Sequence, residues 1–563
     1  MPAPRLRSVL TRPAATPLGF DFMWVGWSLV LTSVVVGPMS EKGWVVLLDW
    51  VTGPSVRFAD RIFTGTSLPA GPVFFGSAAL LHALFGAAVG WLLPAAILMT
   101  AGIGAARLTR VVAPSRAGQL TGATAYLWNP FVQERLYAGQ LAVLLGYAIM
   151  PFLLSAALSA DRGRMSSPKS RSSAIVIAAL WALAAAASIH YIILGGIVVA
   201  SVAATEWMAV RTFPLKWFAV IVSCAGILTA LWLVPRLSEA PDVGNRNTVA
   251  AFATRPDPVL GLAGGVAAQR GFWRPSPGGP STPRGGWWAL AVGCLGGLAL
   301  SGLITTWRDG GDEVDTSVGR RRIVVAVTLV GFIGWLLGQG ADGPIGGLYR
   351  ALTDLRTLRI MREAGKFIAL VSLPWSVGLA SASDRLWQFA NKKGPATRLV
   401  FFLSCAVLPI GLAPGLANGI GGRIAAVTYP PQWQALSAAL KIETESDLPS
   451  ADSGRLVVLP FIAYYDPGFT NDRTVRSTAG AYFGSRALLS DDAEVAGLRA
   501  STRTSEIANA LSSKDAGPTL ARYNVRWVIA SSRARTFNSA SFLTVSTDGD
   551  WTLYRNTLRS HSP

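Results

Sequence analysis

Residues 128–140 read WNPFVQERLYAGQ, between a short apolar run, TGATAYL (121–127), and a long one, LAVLLGYAIMPFLLSAALSA (141–160). Asn129-Pro130 breaks the first run. Proline has no backbone N–H and disfavours helical backbone at the residue before it. The break therefore starts a new helix at a fixed place, with Glu134 and Arg135 side by side on it and Gln140 and Tyr147 following. An ionisable group at membrane depth costs roughly 2.5–3.5 kcal/mol on insertion scales, so it faces a cavity or a partner.

The rest of the chain makes a membrane setting the right one. Of 563 residues, 51% are hydrophobic and only 14% charged, against about 25% charged in soluble domains. Mean hydropathy is +0.41. The net charge of +19 resides largely in short loops beside apolar runs, which is a signal of membrane orientation. No nucleic-acid-binding motif accompanies it. Cys224, Cys294 and Cys405 all lie within apolar runs, and no paired-Cys or Cys/His spacing suggests a zinc site or a disulfide framework. The N-terminal tail, residues 1–19, is basic and Pro-rich and has no small-residue cleavage site after the first apolar run, which reads as a retained helix.

A membrane helix needs roughly 20 apolar residues. About eleven spans are predicted: 20–38, 87–107, 117–128, 138–160, 172–189, 191–209, 216–234, 287–306, 323–340, 366–384 and 398–416. The stretch 73–86, FFGSAALLHALFGA, is short and Gly-interrupted and reads as an interfacial or re-entrant piece. With the N-terminus in the cytoplasm, the inside loops are ARLTRVVAPSR, DRGRMSSPKSR, EWMAVRTFPLK, WRDGGDEVDTSVGRRR and DRLWQFANKKGPATR. Each carries several Lys or Arg, as the positive-inside rule requires. Segments 39–86, 129–137, 235–286 and 341–365 then lie outside. So does the tail after 430, where apolar runs shrink to strand length in RLVVLPFIAYY (455–465) and VRWVIASS (525–532). TLARYNVRWVIA reads as helix end, turn and buried strand, and DGDWTLYRN as turn and strand. The expected architecture is an α-helical polytopic membrane domain over 20–429 and a small extracytoplasmic α/β domain over 430–563.

Five features carry chemistry. Glu134-Arg135 at the outer mouth is either an ion pair capping a helix or a polar site, lined also by Gln140, with Arg135 available to a phosphate. In LRTLRIMREAGKF (355–367), Arg356, Arg359, Arg362 and Lys366 recur at three- and four-residue steps, which puts them on one face of a helix. That stripe is either a solvated face or an anion site for a lipid phosphate, with Glu363 tempering it or pairing with Arg359. In the first outside segment, Asp49 lies in apolar LLDWV and Asp60 in the more polar FADRI. An acid among apolar residues has a raised pKa suited to a general base, or else caps a helix or partners a loop Arg. His190 in ASIHYI and His82 are either satisfied structural groups or cavity-lining ones. Tyr464, Tyr465, Tyr482 and Trp527 either stack on sugar rings or form core. There is no Walker loop, HExxH or GxSxG. The acidic loop DGGDEVDTSVG (309–319) lacks the terminal Glu of a calcium loop and reads as a solvated linker.

YLWNPFVQERLYAGQLAVLLGYAIMPFLL (126–154) resembles a segment common in GT-C type membrane glycosyltransferases. It is most similar to the N-terminal membrane region of actinobacterial arabinofuranosyltransferases and their uncharacterised relatives. MREAGKFIALVSLPW (361–375) resembles their Arg-Glu-Pro-x-Lys-Phe segment, with Ala364 and Gly365 where Pro and a variable residue are common. YPPQW (429–433), GRLVVLP (454–460) and YNVRWVIA (523–530) resemble their extracytoplasmic domain.

The resemblance implies transfer of a sugar from a polyprenyl-phosphate donor to a cell-envelope glycan acceptor at the plasma membrane. It implies an acid of the first outside segment as base, Asp49 or Asp60. It also implies Arg135, Arg359, Arg362 and Lys366 at the donor phosphate. A divalent cation there is left open, since no metal motif is present. The first segment offers no second acid in a clear pair with Asp49. A non-catalytic scaffold of the same fold is the alternative. A transporter, which needs polar sites near the midplane and often paired repeats, fits less well.

Overall fold

A computed structural model describes residues 21–62, 70–160, 168–211, 214–238, 247–274, 285–309, 314–355, 358–446, 454–470, 472–492, 501–532, 537 and 540–558. The tail 1–19, Arg356 and residues 310–313 of the acidic loop at 309–319 lie outside these; the rest of that loop, from Val314, is the start of a helix rather than a linker. Helices α1 (Phe22–Val36), α2 (Pro72–Phe85), α3 (Val89–Thr109), α4 (Arg116–Leu127), α5 (Pro130–Tyr137), α6 (Leu141–Ser159), α7 (Pro168–Ala187), α8 (Tyr191–Val210) and α9 (Leu215–Ser238) come first. After them come α10 (Asn247–Ala251), α11 (Gly261–Ala267), α12 (Gly286–Arg308), α13 (Val314–Gly338), α14 (Gly346–Asp354), α15 (Ile368–Ala390) and α16 (Pro395–Val407).

Ten helices among the described residues are long and apolar enough to cross a membrane. The eleventh predicted span is α4, only 12 residues long. Every residue after its first is buried, because α3, α15 and α16 enclose it. A helix sealed in protein need not match the bilayer thickness, so its Thr and Gly content is no obstacle. Its Thr121 and Thr124 hydroxyls donate to the Cys405 and Ala406 carbonyls, both at 2.8 Å. Small residues let α12 and α15 touch backbone to backbone. A Cβ on Gly302 would stand 2.0 Å from the Gly378 carbonyl oxygen.

The stretch 73–86 forms a 14-residue helix, α2, which ends where Gly86 takes φ +56°. A further expectation changes: the cationic segment 355–367 is no helix. It forms two 3-10 turns, Arg359–Arg362 and Ala364–Lys366, so its cations do not share one helical face.

After α16 the chain passes through 3-10 turns into a helix over Pro431–Ser446 and then a sheet. The strands are β1 (Arg455–Val458), β2 (Tyr464–Tyr465), β3 (Val475–Arg476), β4 (Val525–Ser531), β5 (Phe542–Asp548) and β6 (Trp551–Asn556). The main sheet runs β1-β4-β6-β5, with β1 parallel to β4 and the other pairs antiparallel. Asn524 at φ +58° makes the turn into β4 that YNVRW suggests. Trp527 is fully buried in the core, and Tyr482 packs on Tyr429 and Trp433. Those two aromatics are structural. This C-terminal domain lies against the segment between α1 and α2. Trp44 bridges Val427, the Tyr429 hydroxyl donates to the Thr52 carbonyl at 2.8 Å, and the Arg476 amide donates to the Leu48 carbonyl at 3.0 Å.

Candidate functional site

Asp49 sits at the tip of a tight turn. Val46 bridges Val51, and the Leu47 amide donates to the Trp50 carbonyl at 2.7 Å. The turn is held to the break between α5 and α6, where the Asp49 amide donates to the Ala138 carbonyl at 2.9 Å. Gly139 makes this approach possible. It has φ +67°, and a Cβ there would stand 2.7 Å from the Trp50 amide nitrogen. The sequence pair Gly139-Gln140 thus fixes where the first connecting segment docks.

From Asp49 a line of polar contacts runs inward. The Tyr464 hydroxyl donates to Asp49 Oδ1 at 3.1 Å, and Gln140 Nε2 approaches Oδ2 at 3.4 Å. Gln140 Oε1 accepts from Arg135 Nη1 at 2.6 Å. Arg135 Nη1 also pairs with Glu363 Oε1. Glu363 Oε2 takes Lys366 Nζ at 3.0 Å, and Lys366 Nζ lies 2.8 Å from His190 Nε2. Ser188 Oγ lies 3.0 Å from His190 Nδ1. An ammonium only donates, so Nε2 accepts and the imidazole is neutral, its proton assigned to Nδ1 from the network. Burial foremost, then the Lys366 charge, pushes His190 well below its usual range.

Exposure falls along this line. Asp49 is exposed, Gln140 and Tyr464 are half-buried, and Arg135, Glu363, Lys366 and His190 are buried. Solvent reaches Asp49 while protein crowds it on its other sides. That crowding raises its carboxyl pKa, with Arg476 and the bonds from Tyr464 and Gln140 opposing. For Glu363, burial is the largest single effect and pushes upward. The two cations and their hydrogen bonds together overcome it and hold the carboxyl at about 2.

Glu134 and Arg135, neighbours in sequence, go to different partners. Glu134 is buried and accepts the Phe272 amide at 3.1 Å, with Arg270 Nε at 3.9 Å. Arg270 in turn grips Asp257 at 2.5 Å. Burial pushes Glu134 up to about 7, against the pull of Arg270, Arg135 and the backbone amides of Phe272 and Gly271. The two residues are therefore not an ion pair capping a helix. They tie α5 to two different connecting segments.

The structure brings together Asp49, Gln140, Arg135, Lys366 and His190, with Glu134 behind them. It pairs Glu363 with Arg135 and Lys366, not with Arg359. Arg359 is half-buried and donates to the Asp354 carbonyl at 3.1 Å. Arg362 is half-buried and stacks over Phe252 at 4.8 Å. Asp60 is exposed on the 3-10 turn Ala59–Arg61 and takes no part in the line of contacts. Two contributors escape sequence reasoning. Arg476 comes from β3 of the C-terminal domain, and Arg270 from a short loop after α11. Neither lies in a periodic or motif-like setting. Among the described residues no group of three or more His, Cys, Asp and Glu is placed to hold a metal ion.

No family model matches the chain, and no curated protein matches it. Solved structures do. The arabinofuranosyltransferase AftD from Mycobacteria aligns over 97% of this chain at a TM-score of 0.50 and 16% identity. The chain spans 42% of the length of that protein. The apo oligosaccharyltransferase of Archaeoglobus fulgidus aligns over 91% of this chain and 69% of its own, with TM-score 0.46 and 13% identity. ArnT from Cupriavidus metallidurans in the apo state aligns over 95% and 97%, with TM-score 0.47 and 12% identity. The chain is a multi-pass membrane protein with the fold of the GT-C glycosyltransferases, a polytopic helical domain followed by a small C-terminal domain built on a sheet.

Proposed function

We propose that this protein is a membrane glycosyltransferase. It moves a sugar from a polyprenyl-phosphate donor to a cell-envelope glycan acceptor on the extracytoplasmic side of the plasma membrane. The observation that carries the reading is the line from exposed Asp49 through Gln140 and Arg135 to Lys366. It joins an accessible carboxylate to a concentration of positive charge.

In the reaction, Asp49 takes the proton of an acceptor hydroxyl as that oxygen attacks the anomeric carbon. The bond from that carbon to the phosphate oxygen breaks, and polyprenyl phosphate leaves with the electron pair. The configuration inverts. Half-exposed Arg476 and Arg362 meet the leaving phosphate, and Arg135 and Lys366 supply positive potential from behind. The raised pKa of Asp49 suits it to accept a proton.

The charge distribution supports the orientation. The segments that meet at the site are those after α1, α4, α7 and α9, together with 339–367. The basic loops meet at the other end, where Arg385 pairs with Asp309 at 2.6 Å and Arg322 with Glu206 at 3.2 Å. That end is cytoplasmic by the positive-inside rule.

The second reading, a non-catalytic scaffold, is favoured by one observation. Glu363 already occupies both Arg135 and Lys366. The deciding experiment is transfer from a polyprenyl-phosphate sugar by the protein in proteoliposomes. Asp49→Asn should abolish transfer in a protein that is still inserted and folded. Undiminished transfer by that variant removes Asp49 as base, and no transfer by the wild-type chain with any such donor favours the scaffold.

A further inference from the structure

Away from Asp49, the seam between the first connecting segment and the C-terminal domain holds a cavity of about 420 Å³, lined among others by Ser55, Arg57, Phe483, Ser485 and Arg486. That volume is within the range of small-molecule sites, roughly 300–1,000 Å³. Two guanidinium groups line it, and no carboxylate does among the described residues. Arg57 is exposed and makes no hydrogen bond or ion pair among the described residues. Arg486 has a neutral partner, the Thr444 hydroxyl at 3.0 Å. Two cations sharing one cavity repel each other, and an anion between them relieves that cost. A planar carboxylate fits a guanidinium fork by two parallel hydrogen bonds.

The accessible lining, the two guanidinium groups included, is predominantly polar, which suits a hydroxylated ring better than an acyl chain. Ser55 and Ser485 offer hydroxyls, and Phe483 offers an apolar face for a sugar ring. The walls are held in place before any ligand arrives. The Ser55 amide donates to the Ala481 carbonyl at 2.9 Å. Gly53 lies so close that a Cβ there would stand 2.6 Å from the same oxygen. Gly484, at φ +78°, turns the opposite wall. A preformed site loses less entropy on binding. Ser55 follows Asp49 on one segment, and a chain of that length spans at most about 22 Å.

We infer that this cavity is a subsite for an acidic saccharide, a stretch of glycan carrying a uronic carboxylate. That this glycan is the acceptor rests on the transfer reading above, but the binding itself does not.

The test is calorimetry on the full chain in nanodiscs, with cellobiouronic acid as probe and cellobiose as its neutral counterpart. Saturable binding of the acid is expected, with cellobiose about five-fold weaker or more, in line with loss of one partly exposed charge contact. Rising salt should weaken the acid alone. Arg57→Ala should lose affinity by about the same factor and Arg57→Glu by more, and exposed Arg57 can be changed without loss of the fold. Equal affinity for the two disaccharides overturns the inference, as does binding unchanged in both Arg57 variants. Displacement of the probe by phosphatidylglycerol but not by excess uronic acid overturns the saccharide assignment. Asp49→Asn should bind the probe normally while losing transfer, and probe binding by a wild-type chain that transfers nothing counts against the transfer reading alone.

Discussion

The Tyr464 hydroxyl donates to Asp49 Oδ1 at 3.1 Å, across 415 residues of sequence. A residue of the C-terminal domain therefore holds the candidate base of the membrane domain. A hydrogen bond to a carboxylate favours its charged form, and this one opposes the crowding that raises the Asp49 pKa. Tyr464→Phe should raise that pKa further. The acid limb of the pH–rate profile should move to higher pH by about half a unit to one unit. Activity should fall several-fold on that limb and recover on its alkaline side. A uniform loss at every pH would instead mark Tyr464 as a packing residue only.

The two acids of the first connecting segment should behave differently. Asp60 is exposed on its 3-10 turn and stands outside the contacts that join Asp49 to Arg135. Asp60→Asn should leave transfer within about two-fold of wild type. Loss of a positioned general base costs about 10²–10⁴-fold. A large loss in the Asp60 variant, with Asp49→Asn active, would exchange their roles.

Much of this architecture is legible in the sequence, for physical reasons that also mark where reading stops. Span length and hydropathy respond to the bilayer alone, so every long span was visible. Asn129-Pro130 located the break that sets α5, because proline acts locally; the Asn129 side chain does cap that helix, accepting the Val132 amide at 3.0 Å. Helical spacing misled at 355–367. There Arg359, Arg362 and Lys366 recur as a helix would place them, but tertiary partners decide. Glu363 reaches back to Arg135, 228 residues away, and the backbone follows in 3-10 turns. Arg476 and Arg270 were invisible for the same reason, since each enters the site by long-range packing.

Glu363 should be a main electrostatic anchor of the bundle. It is buried, and its two cations hold it at about 2, below the ordinary 4.5. A group with a depressed folded pKa adds stability above its unfolded pKa and loses it as pH falls toward the folded value. Glu363→Gln leaves Arg135 and Lys366 without their carboxylate, and breaking a buried pair costs about 3–5 kcal/mol. Thermal unfolding in detergent should show a clearly lower Tm for the variant at pH 7. The gap should narrow as pH drops from about 4.5 toward 2, where wild type also loses the charge. A gap that stays constant with pH would mean the cost is one of shape, not of charge.

Glu134 should give the opposite pH dependence. Burial carries its folded pKa to about 7, against 4.5 ordinarily. Between those values the folded protein binds the proton that the unfolded chain releases. Stability on this account falls as pH rises through that window, by an amount on the order of 3 kcal/mol at most. Glu134→Gln carries no such titration. The Tm of the variant relative to wild type should therefore rise between pH 5 and pH 8, whichever protein is the more stable at either end. If the difference instead stays flat over that range, Glu134 is ionised throughout. Arg270, with Asp257 at 2.5 Å, would then hold it as a true ion pair.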